Sequence, residues 1–305
     1  MRKRKRFFSI LLALAMILTF MPAMAWATGE YTSLPPADEN GIINLGGNTY
    51  TLTSPYILSD GAVTIKDGTI ESSVVDLFQA NGATITFGEG LQVNGSDSLI
   101  YAYNGGKIVI DGATLKSTNS DNTVAYIKGT DSSLVMNSGY LSHCGKNHVT
   151  LSVDEGATAV INGGIIDSDS STTIVAKNED SSGNGSQITI KGGSISTTAN
   201  YVAGYAINGA KIIVDGGTIS SNAWCALSAI RYGTPKGGEI EVNGGTIDKA
   251  VGAYEGADSK VTINGGTIGA GGDNWGIYVN NGATVNVTGG NVNGYAQNQG
   301  AESTL

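Results

Sequence analysis

"KVTINGGTIGA" (residues 260–270) carries the phrase that decides the fold: two apolar residues two apart, a glycine pair, then another apolar residue. It returns as "TVNVTGGNVNG" (284–294), and precedents stand at "EIEVNGGTIDK" (239–249), "KIIVDGGTISS" (211–221) and "QITIKGGSIST" (187–197). Taking the first glycine of each pair as a reference, the phrase can be followed back to Asp67 through Glu89, Gly112, Ser138, Gly163, Gly192, Gly216, Gly244, Gly265 and Gly289, in steps of 21 to 29 residues. Self-similarity at such a period marks a stacked array, in which each unit buries its apolar face only against its neighbours.

The columns of this alignment give the shape of one unit. Two and four residues before the reference stand apolar pairs such as Ile190 with Ile188, Val214 with Ile212, and Val287 with Val285. Three residues after it stand Ile70, Leu115, Leu141, Ile166, Ile195, Ile219, Ile247, Ile268 and Val292. Alternation rich in β-branched residues reads as strands with one buried face. The unit at Glu89 slips by one residue after the reference, to Leu91 and Val93, which reads as a bulge. Six residues before the reference every residue is Gly, Ala or Ser, and seven before it every residue is Gly or Asp. Such residues suit tight turns and positive φ, so a corner recurs in each unit.

One unit is therefore a coil: strand, glycine-pair corner, short strand, variable return, tiny-residue corner. Coils of about 25 residues are too short for propeller blades, which run to about 40 residues. The 45 glycines would weaken any helix. The expected fold is all-β, a right-handed three-sided parallel β-helix of about ten coils spanning residues 41–294. Residues 41–72, "GIINLGGNTYTLTSPYILSDGAVTIKDGTIES", resemble the opening coils of the right-handed parallel β-helix proteins of the pectin-lyase-like superfamily. The resemblance covers most of the chain and implies the scaffold; many unrelated activities share that scaffold, so it implies no particular one. Residues 295–305 read as a polar C-terminal tail, as in a chain cut from something longer.

The first 27 residues read as a secretory signal peptide: five basic residues from Arg2 to Arg6, the apolar run "FFSILLALAMILTFM", and small residues at Ala25 and Ala27. Residues 28–40 form a linker or N-terminal cap. The expected location is secreted or at the cell surface, with no membrane insertion once the signal is removed. Without it the chain keeps 12 basic and 26 acidic residues, a net charge of −14. That balance disfavours nucleic acid as a partner. It is compatible with calcium without showing any, and no other cofactor is expected. Cys144 and Cys225 fall three coils apart, about 14 Å along the axis at the strand spacing. A disulfide needs Cα atoms within about 7 Å, so two free thiols are expected.

Candidate chemistry sits in the returns, the longest being 167–184 and 220–236. Carboxylate pairs at Asp167 with Asp169, and Glu179 with Asp180, are the nearest approach to a glycosidase set. They lack the flanking motifs associated with glycosidases of this fold, and Arg231, the single arginine left after the signal, has no acidic neighbour. Solvated loop carboxylates are the plainer reading. His143, Cys144 and His148 in "SHCGKNH" lack zinc spacing and a fourth ligand. No catalytic and no metal residue is assigned.

The aromatic residues carry more. Phe78, Tyr101, Tyr205, Tyr254 and Tyr278 each precede the turn glycine or aspartate by four, which reads as one outward column. Together with Trp224, Tyr232 and Trp275 from nearby returns, Tyr205, Tyr254 and Tyr278 form a candidate platform for sugar rings. Ladders of Asn and Thr beside the glycine pairs read as rungs hydrogen-bonded along the rod. The expected function is a non-catalytic module binding polysaccharide or another extracellular partner. Adhesin-like and carbohydrate-binding β-helix regions of Gram-positive surface proteins are similar to it. A polysaccharide lyase or glycosidase is the alternative, and a plain stalk the third.

Overall fold

The computed structural model describes residues 31–304, except 119–120, 146–147, 179–184, 234–235, 255, 257, 273–274 and 300–303. Residues 1–27, read above as a signal peptide, and the Glu179–Asp180 pair lie outside the described residues. Among those described there are strands and no helices, and none is a helix long and apolar enough to cross a membrane. The strands stack as a parallel β-solenoid of about ten turns. Each turn contributes a strand before the glycine-pair corner, one after it, and one from the return. The first two kinds form a 20-stranded sheet, because Lys107–Thr118 and Ser133–Cys144 run through the corner between them. The third kind forms an 11-stranded sheet.

The apolar columns of the sequence are the registers of these sheets. Ile188, Ile212, Ile240, Val261 and Val285 pair in succession, as do Ile195, Ile219, Ile247, Ile268 and Val292. Nearly all are sealed from solvent in one continuous core. Burying an aliphatic side chain is worth about 1.5–3 kcal/mol, and stacking repeats that gain coil after coil. Val287, expected in the core, is 47% exposed; it ends Thr284–Val287, the last described strand before a glycine-pair corner.

Close seating explains the glycine pairs. Gly266 adopts φ +81°, and a Cβ there would lie 2.7 Å from the carbonyl oxygen of Gly244 in the turn before. Gly265 has no positive φ, yet its Cβ would fall 2.2 Å from the Asn243 oxygen. One glycine is needed for conformation and contact, the other for contact alone. Apart from the exposed Gly61, the tiny column is buried at the second corner: a Cβ on Gly238 would sit 1.9 Å from the Ala206 oxygen. The slip at Glu89 is not a bulge within a strand. Thr84–Phe87 and Leu91–Gly95 keep register with both neighbouring turns, and the extra residue lies in the corner at Glu89–Gly90.

The polar ladders form as expected: Asn162 donates to Asn137 at 3.0 Å, Asn243 to Asp215 at 2.9 Å, and Asn264 to Asn243 at 2.9 Å. Both cysteines are free, Cys225 buried and Cys144 half-buried. Residues 295–305 do not begin as a tail: Tyr295–Gln299 is a strand paired in parallel with Trp275–Asn280, the last of the 11-stranded sheet.

Candidate functional site

Tyr205, Tyr254, Trp275 and Tyr278 lie on strands of the 11-stranded sheet and are half-buried, but the expected aromatic residues do not form one column. Phe78 pairs with Ile100 rather than Tyr101 and is fully buried, its ring 5.0 Å from that of Phe87. A one-residue shift in strand register turns a side chain to the opposite face, and the stretch from strand to corner is one residue shorter here. Tyr254 also leaves the column. Gly252 stands opposite Tyr278, so Tyr254 lies two residues further along. Counting back from the turn residue misplaced both, because the spacing between strand and corner varies.

Most of the expected rings nevertheless come together. Trp224 meets Tyr278 at 4.8 Å and 66°, and Tyr254 at 6.2 Å and 47°. Tyr254 meets Tyr278 edge-on at 6.2 Å and 79°, and Trp275 meets Tyr278 at 6.4 Å and 66°. Edge-to-face pairs of this kind add about 0.5–1.5 kcal/mol beyond burial. Tyr205 packs with Trp275 on a small apolar cluster of Val202, Cys225 and Ala250, separate from the main core. Tyr232 stands apart, 75% exposed, its backbone N–H donating to Asn208.

Local backbone irregularities aim the two indoles. In Cys225–Ile230 the register shifts between Cys225 and Leu227, and in Trp275–Asn280 between Trp275 and Ile277. A bulge of this kind re-aims the side chains beside it. Beside the first, the Cys225 thiol has its single S–H to share between the Leu227 and Ala250 carbonyl oxygens, 2.9 and 3.2 Å from its sulfur. Burial pushes this thiol far above its ordinary range, so it acts as a neutral donor. Gly252 and Ser228 put no bulk on the sheet beside Tyr278. Trp224, Trp275, Tyr278 and Gln297 line an open groove of about 370 Å³, and Trp224 is 45% exposed. The Tyr278 hydroxyl accepts from the Asn280 amide at 3.2 Å and donates to Gln299 at 3.3 Å.

A second aromatic group went unnoticed in the sequence. Tyr101 stacks on Tyr103 at 4.6 Å and on Tyr126 at 5.8 Å. The Lys177 ammonium lies 5.7 Å from the Tyr126 ring centre and 3.4 Å from the fully buried Asp154, which also accepts from the Tyr126 hydroxyl at 2.8 Å. Burial raises the Tyr101 hydroxyl pKa. Strand alternation in "VAYIKG", with Ala125 and Ile127 inward, would have pointed Tyr126 outward. These rings are packed against one another and an ion pair, as a ladder along the rod.

The other candidates disperse. Asp167 accepts from the Tyr140 hydroxyl at 2.7 Å, and Asp169 is exposed. The Arg231 side chain lies over Gly256. His143 is fully buried, Cys144 half-buried and His148 exposed, so the three do not converge. Among the described residues no group of three His, Cys, Asp or Glu side chains could hold a metal ion. Comparison with known proteins gives no match: no family model fits the chain, and no curated protein or solved structure matches it.

Proposed function

We propose that this chain is a secreted or cell-surface binding module, adhesin-like and without catalytic activity of its own. It would take extracellular polysaccharide on the outer side of its 11-stranded sheet. The observation that carries this reading is the gathering of Trp224, Trp275 and Tyr278 on one open groove, with the Tyr254 ring packed against Trp224 and Tyr278. These are large apolar side chains held at the surface, where a fold stabilised by its interior has no need of them. Exposed aromatic rings with polar edges suit the apolar faces of sugars. The pectin-lyase-like superfamily, which the opening coils resemble, supplies the scaffold for this reading. A lyase or glycosidase finds less support, because Asp167 is engaged by Tyr140 and Arg231 is packed over Gly256.

The test is binding of labelled soluble and insoluble polysaccharides, with and without calcium, to the wild type and to Trp224→Ala/Trp275→Ala. At least one polymer should be retained by the wild type and released tenfold or more by the variant, with unchanged far-UV circular dichroism. Equal retention by the two, or no retention of any polymer, overturns the reading. New reducing ends or unsaturated products would show an enzyme instead.

A further inference from the structure

The shape of the groove names a chemical class more specific than sugar. A flat platform would present rings in one plane. Here the two indoles flank Tyr278, each meeting it at 66°, so the three rings form walls and floor of a cup. The polar groups needed to satisfy several sugar hydroxyls are few. Among the described residues the polar groups of the lining are the Gln297 amide, whose buried Oε1 has no hydrogen-bond partner, the two indole N–H groups, and the Tyr278 hydroxyl, which already both accepts and donates within the protein. A sugar ring could stack one face on such a cup, but its several hydroxyls would lose more water than these few groups replace.

A quaternary ammonium group has the opposite needs. It carries positive charge spread over methyl groups and has no N–H to satisfy. It is attracted to the negative faces of several rings at once, the more so where water is displaced. Among the described residues no cationic side chain lines the groove, and the chain is acidic, with net charge −9. The field of the protein thus favours a cation. We propose that the cup of Trp224, Trp275 and Tyr278 is a binding site for a trimethylammonium group displayed as a substituent on an extracellular polymer. This rests on the binding-module reading and specifies which feature of the polymer is held.

The experiment is a fluorescence titration of the mature chain, whose remaining tryptophans are the two that wall the cup. The probes are choline and its uncharged isostere 3,3-dimethylbutan-1-ol. Choline should change the emission saturably, and the isostere should bind at least tenfold more weakly. Tyr278→Phe and Gln297→Ala should keep choline binding, since neither removes a ring. Trp275→Leu should weaken it tenfold or more, read from the Trp224 emission. Equal binding of the isostere would make the site an apolar pocket and overturn the proposal. So would loss of binding in Gln297→Ala, or failure of choline to bind. If choline fails but polysaccharide retention still depends on Trp224 and Trp275, the cation proposal falls and the binding-module reading stands. If neither binds, both fall. Choline-substituted polymer should be retained and released by free choline; capture of phosphatidylcholine vesicles in place of the polymer would overturn the polymer display.

Discussion

Replacing Gly266 by alanine should destabilise the solenoid through two separable effects. The residue sits at φ +81°, and an added Cβ would lie 2.7 Å from the Gly244 oxygen and 2.9 Å from its carbonyl carbon. Holding an L-residue in the left-handed region costs about 1–2 kcal/mol. Forcing an extra methyl into a packed site costs about 1–3 kcal/mol. Two other glycines isolate the terms. Gly47 has φ +79° with nothing within 4 Å of its Cβ, so Gly47→Ala should show the conformational term alone. Gly265 has no positive φ but a Cβ 2.2 Å from the Asn243 oxygen, so Gly265→Ala should show the contact alone. At about 2–4 °C per kcal/mol for a chain approaching this size, Gly266→Ala should melt on the order of 5–15 °C lower, and each single-term variant only part of that. Thermal melts by circular dichroism at one scan rate measure all three. If Gly47→Ala falls as far as Gly266→Ala, contact between coils is not what demands the glycine pair. If Gly265→Ala is unchanged, the coils are free to part at the corner and the close seating is wrong.

The thiols give a second check. Titration of the denatured, unreduced monomer should find two free groups, Cys144 and Cys225, whereas an intramolecular bridge in the mass spectrum would contradict the register of the turns. In the native protein Cys225 should resist alkylation, and Cys144, whose pKa burial raises, should label only at a pH above that of an ordinary thiol. The Lys211–Glu241 pair, 2.6 Å apart, predicts a small acid-range effect. The hydrogen bond from Lys211 lowers the Glu241 pKa, so its stabilisation is present above the unfolded carboxyl pKa and lost as pH falls through the folded one. Its size is at most about 1 kcal/mol at such an exposed site. Melting of Glu241→Gln and wild type should therefore converge on acidification, and a gap that widens would refute the assignment.

The periodic phrase by itself determined the fold class, the core columns, the corners and the separation of the cysteines. Those features are local and repeated. A β-branched pair and a glycine pair mean the same thing in every turn, because every turn meets a copy of itself. The core positions Ile190, Val214 and Ile263 could be read without any knowledge of contacts. The site could be read only as a composition. The sequence offered Trp224, Trp275, Tyr254 and Tyr278 as outward aromatics, and four of the six residues chosen do meet in one ring network, with Tyr205 packed beside it. It could not say that Phe78 turns inward, that Tyr101, Tyr103 and Tyr126 form a second ladder, or that Tyr232 stands alone. The returns are where turns differ in length, so counting from a corner loses register by one or two residues, and a single residue exchanges inside for outside. The angle between two rings was likewise beyond the sequence. It depends on bulges at Cys225 and Trp275 and on the small residues Gly252 and Ser228 alongside, which only three-dimensional packing brings together.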